Sequence, residues 1–332
     1  MSRGFPRISR RRALQSAAAG FVAFGLLLWW LLPLGEEPPS GTIRFSTGAR
    51  AGVYEKYGEM LSDEFAKDMP DLKVRLKGSG GSQANVRRVA TGEADFTIAA
   101  ADAVETYKLA QGVGADRLRG VARLYDDYVQ LVVPRDSSIR SVAQLKGKRV
   151  AIGRPDSGVR LIADRVLKAA NINAETDITP FSDGIDSGPG RLKRHEIDAF
   201  FWSSGLPTVG LKALSTTFAL RFVPLDADLV AKLHDQGGAS RYYRATNMPA
   251  SAYPSVQKGA TVATIAVSNL LMTRTDMDPR LTEWLTRTVL KSRDHIGSYV
   301  HSAQLVDVRT AIYTEPLTLH DGARRYYRSV KP

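Results

Sequence analysis

The hydrophobic and polar positions after Thr42 switch repeatedly between two periods. Short apolar or alternating runs predict β-strands at residues 43–46, 74–77, 95–100, 128–133, 149–153, 197–201 and 218–223. Between these runs apolar side chains recur at helical spacing in three groups: Tyr57, Met60, Leu61 and Phe65; Ile162, Val166 and Leu167; and Leu281, Trp284, Leu285 and Val289. Strands that alternate with helices predict an α/β fold with helices on both faces of its sheets.

The length of the chain predicts two such α/β units. It has 332 residues, and a domain usually takes about 100–200. We expect the chain to cross between the units near 125–130 and again near 260–275. The apolar run 262–272 fits a strand that returns between them, although its length also fits a buried helix. The predicted segments are 42–128 for the first part of lobe I, 129–274 for lobe II and 275–332 for a C-terminal return to lobe I.

The N-terminus has the pattern of an export segment. Five arginines within the first dozen residues precede a run without charge at 17–34, as in a targeting signal. At 1.5 Å per residue this run spans roughly 27 Å, close to the thickness of a bilayer core. The Arg-Arg sequence resembles a twin-arginine signal. Residues 1–35 therefore predict an inner-membrane anchor with the body in the periplasm, or alternatively a cleaved signal, and 36–41 predict an extended linker.

Composition excludes several classes of site. The chain has no cysteine, which excludes disulfides, thiolate zinc sites, a cysteine nucleophile and a lipid-modified cysteine anchor. Its formal net charge is +12, and the excess of basic residues that remains after the N-terminal arginines favours acidic ligands or surfaces. No dense basic run with interleaved aromatic residues predicts binding to nucleic acid.

Two glycine- and serine-containing turns each follow a predicted strand and precede a predicted helix. The first is Lys77–Ser82, and the second is Arg154–Arg160. Glycine lets backbone N–H groups approach a ligand, and a helix N-terminus favours an anion. Ser157 with the N–H groups after it fits a carboxylate, which Arg160 would bind bidentately. Each turn is equally typical of a plain strand-to-helix connection with a serine N-cap. Arg160 is also typical of a solvated residue on a helix.

Aromatic and acidic residues flank these turns. Tyr54 follows the first strand, Asp102 ends the strand at 95–100, and Trp202 ends the strand at 197–201. Tyr54 and Trp202 fit a pocket wall and fit helix-start or core packing equally well. Asp127 and Tyr128 lie at the expected crossover, where a structural role in a hinge is the simpler interpretation.

Six separated segments carry a resemblance to a known family. They are TGARAGVY (47–54), GSGGSQANVRRVATGEADFTIAAAD (78–102), LKGKRVAIGRPDSGVR (145–160), IDAFFWSSGLPT (197–208), MPASAYP (248–254) and TLHDGARRYYR (318–328). Together they resemble the TAXI family of extracytoplasmic solute-binding proteins, which serve tripartite ATP-independent periplasmic (TRAP) transporters. Ala101 and Val159 stand where that family has serine and threonine.

The resemblance implies a two-lobed periplasmic-binding-protein (type II) α/β fold with a ligand cleft between the lobes, and delivery of the ligand to TRAP membrane permease subunits. It implies a small organic anion as ligand, a dicarboxylate or an amino acid such as glutamate, and no cofactor. The residues expected at the ligand, from the two turns, their flanking residues and this resemblance together, are Thr47, Gly48, Tyr54, Ser79, Gly80, Gly81, Ser82, Asn85, Asp102, Ser157, Gly158, Val159, Arg160 and Trp202.

Two other classes of function were weighed against this one. An enzyme is disfavoured because the five histidines show no metal-ligand spacing and no G-x-S-x-G nucleophile turn occurs. A membrane-tethered sensor or interaction module built on the same fold is the second alternative, since a fold does not determine a function.

Overall fold

The computed structural model describes residues 15, 19–25, 37–50, 52–300, 303–304 and 306–330. The chain divides into an N-terminal segment, Met1–Pro38, and a compact body, Pro39–Pro332. Most of the predicted export segment lies outside the described residues, which include a helical stretch at 19–25, whereas residues 37–41 of the predicted linker are described. Among the described helices, none combines the length and the apolar character that crossing a bilayer requires.

Ten strands of the body form one mixed sheet. They are β1 Gly41–Ser46, β2 Leu72–Lys77, β3 Phe96–Ala100, β4 Leu118–Pro134, β5 Arg149–Ala151, β6 Thr179–Phe181, β7 Ala199–Ser204, β8 Leu220–Val223, β9 Arg244–Met248 and β10 Val262–Arg274. Their order is β2-β1-β3-β10-β4-β7-β5-β6, with β8 paired to β4 and β9 to β10. The outer strands run parallel to their neighbours, whereas β4 and β10 run antiparallel to each other at the centre.

The helices follow the strands as the sequence pattern predicts. They are α1 Val53–Asp68, α2 Ser82–Thr91, α3 Ala101–Leu109, α4 Gly158–Ala169, α5 Gly188–Lys193, α6 Val209–Thr217, α7 Ala227–Asp235, α8 Pro254–Gln257, α9 Pro279–Lys291, α10 Arg293–Gly297, α11 Val308–Ala311 and α12 Asp321–Ser329. Short 3-10 turns lie at Ala115–Arg117, Val142–Leu145 and Gly238–Tyr242. Several helices begin at residues that favour a helix N-terminus. At α9, Pro279 is the first residue, and the Asp278 carboxylate accepts a hydrogen bond from the Leu281 amide.

Two hydrophobic cores lie on either side of the central strand pair. One contains the helix α1 stripe and the C-terminal helices α9 and α12, and a small neighbouring cluster surrounds α2 and α3. The other contains β5, β7 and α4. The body is therefore a two-lobed α/β structure, with helices packed on both faces of a sheet that the two lobes share.

The two long strands pass from one core to the other. On β4, Tyr125 belongs to the first core and Val129 to the second. On β10, Val267 belongs to the second core and Leu271 to the first. The run at 262–272 is thus a strand rather than a buried helix. The division of the body into lobe segments at residues 128 and 274 remains a prediction.

Strand β4 is longer than its apolar run. The sequence predicts a strand at 128–133, whereas β4 begins at Leu118. Charged side chains interrupt the alternation in its first half, and the fold gives them partners: Arg123 pairs with Asp126 at 3.0 Å. A strand with charged side chains at such positions does not show the period-two pattern that identifies strands in a sequence.

Candidate ligand-binding cleft

A small cavity lies where the two cores meet. It holds about 60 Å³ of space. Its lining comes from strand ends, turns and helix starts of both lobes: Gly48, Ala49, Gly52, Val53, Tyr54, Gly80, Gly81, Ser82, Ala100, Asp102, Asp127, Gly153, Arg154, Ser157, Gly158, Val159, Ile162, Gly184, Trp202, Ser203, Ser204 and Val267. Strand ends and helix starts at a point where chain connections diverge are typical of ligand sites in α/β folds.

Ten of the fourteen residues expected at the ligand line this cavity. They are Gly48, Tyr54, Gly80, Gly81, Ser82, Asp102, Ser157, Gly158, Val159 and Trp202. Thr47, Ser79, Asn85 and Arg160 are not among the lining residues. The sequence therefore located the cavity, while the contact of any of these residues with a ligand remains a prediction.

The two glycine-serine turns are in direct contact across the cavity. The amide of Ala84 donates to the Asp156 carbonyl at 3.1 Å, and Gln83 Nε2 donates to the Ser157 carbonyl at 2.7 Å. Gly81 has a φ of +133°, and a Cβ there would lie 3.2 Å from Ser157 Cα. A residue without a side chain is required here, because both the backbone conformation and the approach of the other turn exclude one.

Ser82 and Tyr54 join three elements of the first lobe. Ser82 Oγ accepts from the Ala100 amide at 3.1 Å and lies 3.0 Å from Tyr54 Oη. Tyr54 Oη also donates to Asn269 Oδ1 on β10. Burial raises the pKa of Tyr54 well above its ordinary value, so the side chain stays a neutral phenol that can donate and accept.

The hydroxyl of Ser157 caps helix α4. Its Oγ accepts from the Arg160 amide at 3.0 Å and donates to the Arg154 carbonyl at 2.7 Å. The N-cap interpretation of this turn is therefore realised in the structure. What the turn presents to the cavity is the backbone at the start of α4.

Arg160 does not reach the cavity in this structure. Its Nε binds both carboxylate oxygens of Asp164, at 2.9 and 3.0 Å, one helical turn further along α4. Arg154 lines the cavity instead, with its guanidinium bonded to Asp186. The sequence analysis assigned the ligand contact to Arg160, whereas the arginine of this turn that lines the cavity is Arg154.

Thr47, Ser79 and Asn85 form the layer behind the first turn. Ser79 Oγ donates to the Thr47 carbonyl at 2.8 Å and accepts from the Gly81 amide at 2.9 Å. Asn85 accepts from Ser46 Oγ at 2.7 Å and donates to the Ile98 carbonyl at 2.9 Å. These side chains set the shape of the turn that carries Gly81.

Trp202 is both a cavity wall and a core residue. It lines the cavity and belongs to the core of the second lobe, and its indole Nε1 donates to Ser204 Oγ at 2.8 Å. Val159 and Ile162 complete the apolar part of the lining on that side.

Two buried carboxylates also line the cavity. Asp102 is 1% exposed and Asp127 is 5% exposed. Asp102 Oδ2 is bound by Arg165 at 3.1 Å and by Tyr243 Oη at 2.8 Å, while its Oδ1 has no hydrogen-bond partner. Asp127 Oδ1 has no partner either. Buried polar atoms without partners are rare in native proteins.

The surroundings of Asp127 favour its neutral form. Burial raises its pKa to about 8, and the nearby charges of Asp102 and Asp126 act in the same direction, against Asn269 and the Gly205 amide. Sequence reasoning assigned Asp127 to a hinge. The available signal was an Asp-Asp pair within an otherwise apolar strand at the crossover point.

One family and several solved structures are similar to this chain. The sequence model of a family described as the NMT1-like family matches residues 45–330. A putative L-cystine ABC transporter protein from Listeria monocytogenes is 15% identical, with a TM-score of 0.50 over 80% of this chain and 98% of that one. An ancestral arginine-binding protein bound to arginine is 16% identical, with a TM-score of 0.50 over 78% and 98%.

A third structure, of a protein from Bordetella bronchiseptica RB50, is 15% identical, with a TM-score of 0.51 over 88% of this chain and 90% of that one. At these identities the likeness concerns the fold. It shows that the body has the two-lobed mixed α/β fold of periplasmic binding proteins, as the sequence resemblance implied.

Proposed function

This chain belongs to the NMT1-like family, and from that premise we propose that it is an extracytoplasmic solute-binding protein of a membrane transporter. A small ligand would bind in the cleft between the lobes without chemical change. The observation that carries the proposal is the pair of turns, Gly81–Ser82 from one lobe and Ser157–Gly158 from the other, which face each other across a cavity that both lobes line.

The geometry of the cleft fits a protein that captures its ligand by closing two lobes around it. Each turn begins a helix, α2 or α4, and the N–H groups at a helix start favour an anionic group such as a carboxylate. A ligand that contacts both lobes stabilises the arrangement in which they are close together by its differential affinity for that state. The ligand class that we propose is a small organic anion, either a dicarboxylate or an amino acid such as glutamate.

The proposed transporter is of the TRAP type. The support is the set of six sequence segments that resemble the TAXI family, among them TGARAGVY (47–54) and IDAFFWSSGLPT (197–208). The partners would then be TRAP permease subunits. A gene for such a permease next to the gene for this chain supports the assignment, and a neighbouring ABC permease gene contradicts it.

The proposed location is the periplasm, with residues 1–35 as the export signal and inner-membrane anchor. The support is the basic N-terminus followed by the uncharged run at 17–34. Expression of the full chain followed by separation of membrane and periplasmic fractions tests this. Recovery of a shortened chain in the soluble fraction contradicts the anchor and leaves a cleaved signal.

Ligand capture in the cleft is tested by calorimetry on the full chain with a panel of dicarboxylates and amino acids. The Ser82→Ala/Ser157→Ala double variant should lose at least about tenfold in affinity, because Ser82 no longer holds Tyr54 and the Ala100 amide and Ser157 no longer caps the start of α4. The matched control is Ser298→Ala/Ser329→Ala, since these exposed hydroxyls bond only to local carbonyls. Equal heats for the wild type and the cleft variant contradict ligand binding at these turns.

A further inference from the structure

The cavity combines helix starts that favour an anion with two buried acidic side chains that favour a cation. Asp102 and Asp127 line the same small space as the two glycine-serine turns, and each has an Oδ1 atom without a hydrogen-bond partner. A ligand that is only an anion would satisfy the helix starts and leave both acidic side chains without a cationic partner from the ligand.

The acidic groups next to Asp127 have cationic partners within the protein. Asp126 pairs with Arg123 at 3.0 Å and also with Arg244, and Asp102 pairs with Arg165 at 3.1 Å. In the part of the chain that the structure describes, no ion pair includes Asp127. Its buried carboxyl group therefore has no cationic partner within the described protein, and the groups that lower its pKa, the Asn269 side chain and the Gly205 amide, are neutral.

We propose that the cleft takes a ligand that carries a cationic amino group in addition to a carboxylate, and that Asp127 binds the amino group. This inference rests on the function proposed above and narrows its ligand class. An ammonium group has three donors, enough to reach both Asp127 Oδ1 and Asp102 Oδ1. The ligand carboxylate lies at the helix starts of α2 and α4, so each end of the ligand meets the opposite charge.

The protonation of Asp127 supplies a second readout. Burial holds its carboxyl group neutral near pH 7, and an ammonium group in contact with it favours the ionised form. Binding of an amino ligand should therefore release a proton. The groups that act on this carboxyl group, from the elements around it, are Tyr54, Asp102, Tyr125, Asp126, the Gly205 amide and Asn269.

The test uses ligand pairs that differ only in the amino group: L-alanine against propionate and L-glutamate against glutarate. Calorimetry on the full chain measures each affinity, in two buffers with different ionisation enthalpies so that proton release is counted. We expect the amino member of at least one pair to bind on the order of 10- to 100-fold more tightly than its partner, with release of a proton.

Asp127→Asn removes the charge and retains the shape of the side chain. It should abolish both the preference for the amino ligand and the proton release. Asp126→Asn is the matched control, because it removes the adjacent carboxylate, which already has partners within the protein, and it should retain the preference. If Asp127→Asn does not fold, the comparison of ligand pairs on the wild type still decides the question.

The outcomes separate this inference from the proposed function. Equal affinity of the two members in every pair that binds overturns the role of Asp127 and leaves the solute-binding function in place. An unchanged preference in Asp127→Asn does the same. When none of the four compounds binds, mass spectrometry on the natively purified protein decides. A bound molecule with an amino group supports the inference, one without it overturns the inference, and no bound molecule overturns the proposed function as well.

Discussion

Asp127 shows most directly how one residue joins stability to binding in this protein. It is buried on the strand that passes between the lobes, and it has no partner for one carboxylate oxygen. A neutral carboxyl group is tolerated there, whereas an ionised one destabilises the folded protein unless a cation accompanies it. The missing partner makes an ionised Asp127 unfavourable in the protein without ligand. It also makes Asp127 a binding group for a cationic ligand.

The raised pKa of Asp127 should make the free energy of unfolding depend on pH. The pKa of Asp127 is raised to about 8 in the folded protein, against about 3.9 in an unfolded chain. Between these values only the unfolded chain has lost the proton, so the wild type loses stability as pH rises, by up to about 1.4 kcal/mol per unit. Asp127→Asn removes this loss, and urea unfolding should show its advantage growing from pH 5 to pH 8.

Asp126→Asn serves as the control for that series. Although burial opposes them, Arg123 and Arg244 hold the pKa of Asp126 below its ordinary value, so both states of the wild type are ionised there above about pH 5. The difference between this variant and the wild type should change much less over the same range, because loss of the Asp126 charge lowers the pKa of Asp127 but leaves the larger effect of burial in place. A constant difference for Asp127→Asn contradicts the protonated state of Asp127.

Gly81 is the residue on which the contact between the turns depends. Gly81→Ala places a side chain at a φ of +133° and 3.2 Å from Ser157 Cα. We expect a loss of about 1–3 kcal/mol from the backbone conformation alone, and a weaker affinity for ligand because the turns are forced apart. Urea unfolding and calorimetry measure the two effects.

Gly78→Ala is the matched control, because a Cβ there would lie at an ordinary 3.6 Å from the Gly48 carbonyl. Its effect on stability should stay within about 0.5 kcal/mol. Equal behaviour of the two variants contradicts the close approach of the turns at Gly81.

The helices at the cleft begin in different ways. Helix α4 has a side-chain N-cap, since Ser157 Oγ accepts from the Arg160 amide, whereas α2 follows Gly81 and has no side-chain cap. The two turns look alike in the sequence because both combine glycine with serine. Their serines nevertheless have different structural roles, one at the N-cap and one in the first turn of its helix.

Removal of the N-cap of helix α4 should destabilise the protein. Ser157→Ala should destabilise the protein by about 1 kcal/mol, the usual cost of an N-cap serine. Ser298→Ala, an exposed hydroxyl bonded to the His295 carbonyl, should have an effect within about 0.5 kcal/mol. The midpoints of urea unfolding compare them, and an unchanged midpoint for Ser157→Ala contradicts the capping role.

The elements differ in how well the sequence predicted them. Strand β3 is buried along its whole length, so its apolar run identified it directly. The first half of β4 carries charges, and the run at 262–272 fitted either a strand or a helix. Pairing of β10 with β3, β4 and β9 resolves that ambiguity, and such pairing is a property of the assembled sheet rather than of local spacing.

The whole body is in an arrangement in which the two lobes touch around the cavity. Gln83 reaches across to the Pro155 and Ser157 carbonyls, and Arg165 reaches across to Asp102 and Thr106. These contacts leave only about 60 Å³ free. We therefore expect entry of a ligand to require a more open arrangement, with β4 and β10 as the connection that bends.

Gln83→Ala tests this closure. It removes two hydrogen bonds, each worth about 0.5–1.5 kcal/mol, so the open arrangement should gain at least a few-fold in population and the affinity for ligand should fall to the same degree. Small-angle scattering measures the population of the open arrangement, and calorimetry measures the affinity for ligand. The control is Gln236→Ala, whose amide bonds to the Arg165 carbonyl within one lobe. A loss of affinity equal in both variants contradicts the role of Gln83 in closure.

The sequence by itself determined the alternation of strands and helices, the two turns that begin helices, and the composition that excludes cysteine chemistry, because these depend on residues close together in the chain. Only the tertiary structure decided which side chains face the cavity. Arg154 faces it instead of Arg160, and Asp127 and Asp102 share it with the two turns. These positions depend on how β4 and β10 cross between the lobes, and thus on contacts between residues far apart in the sequence.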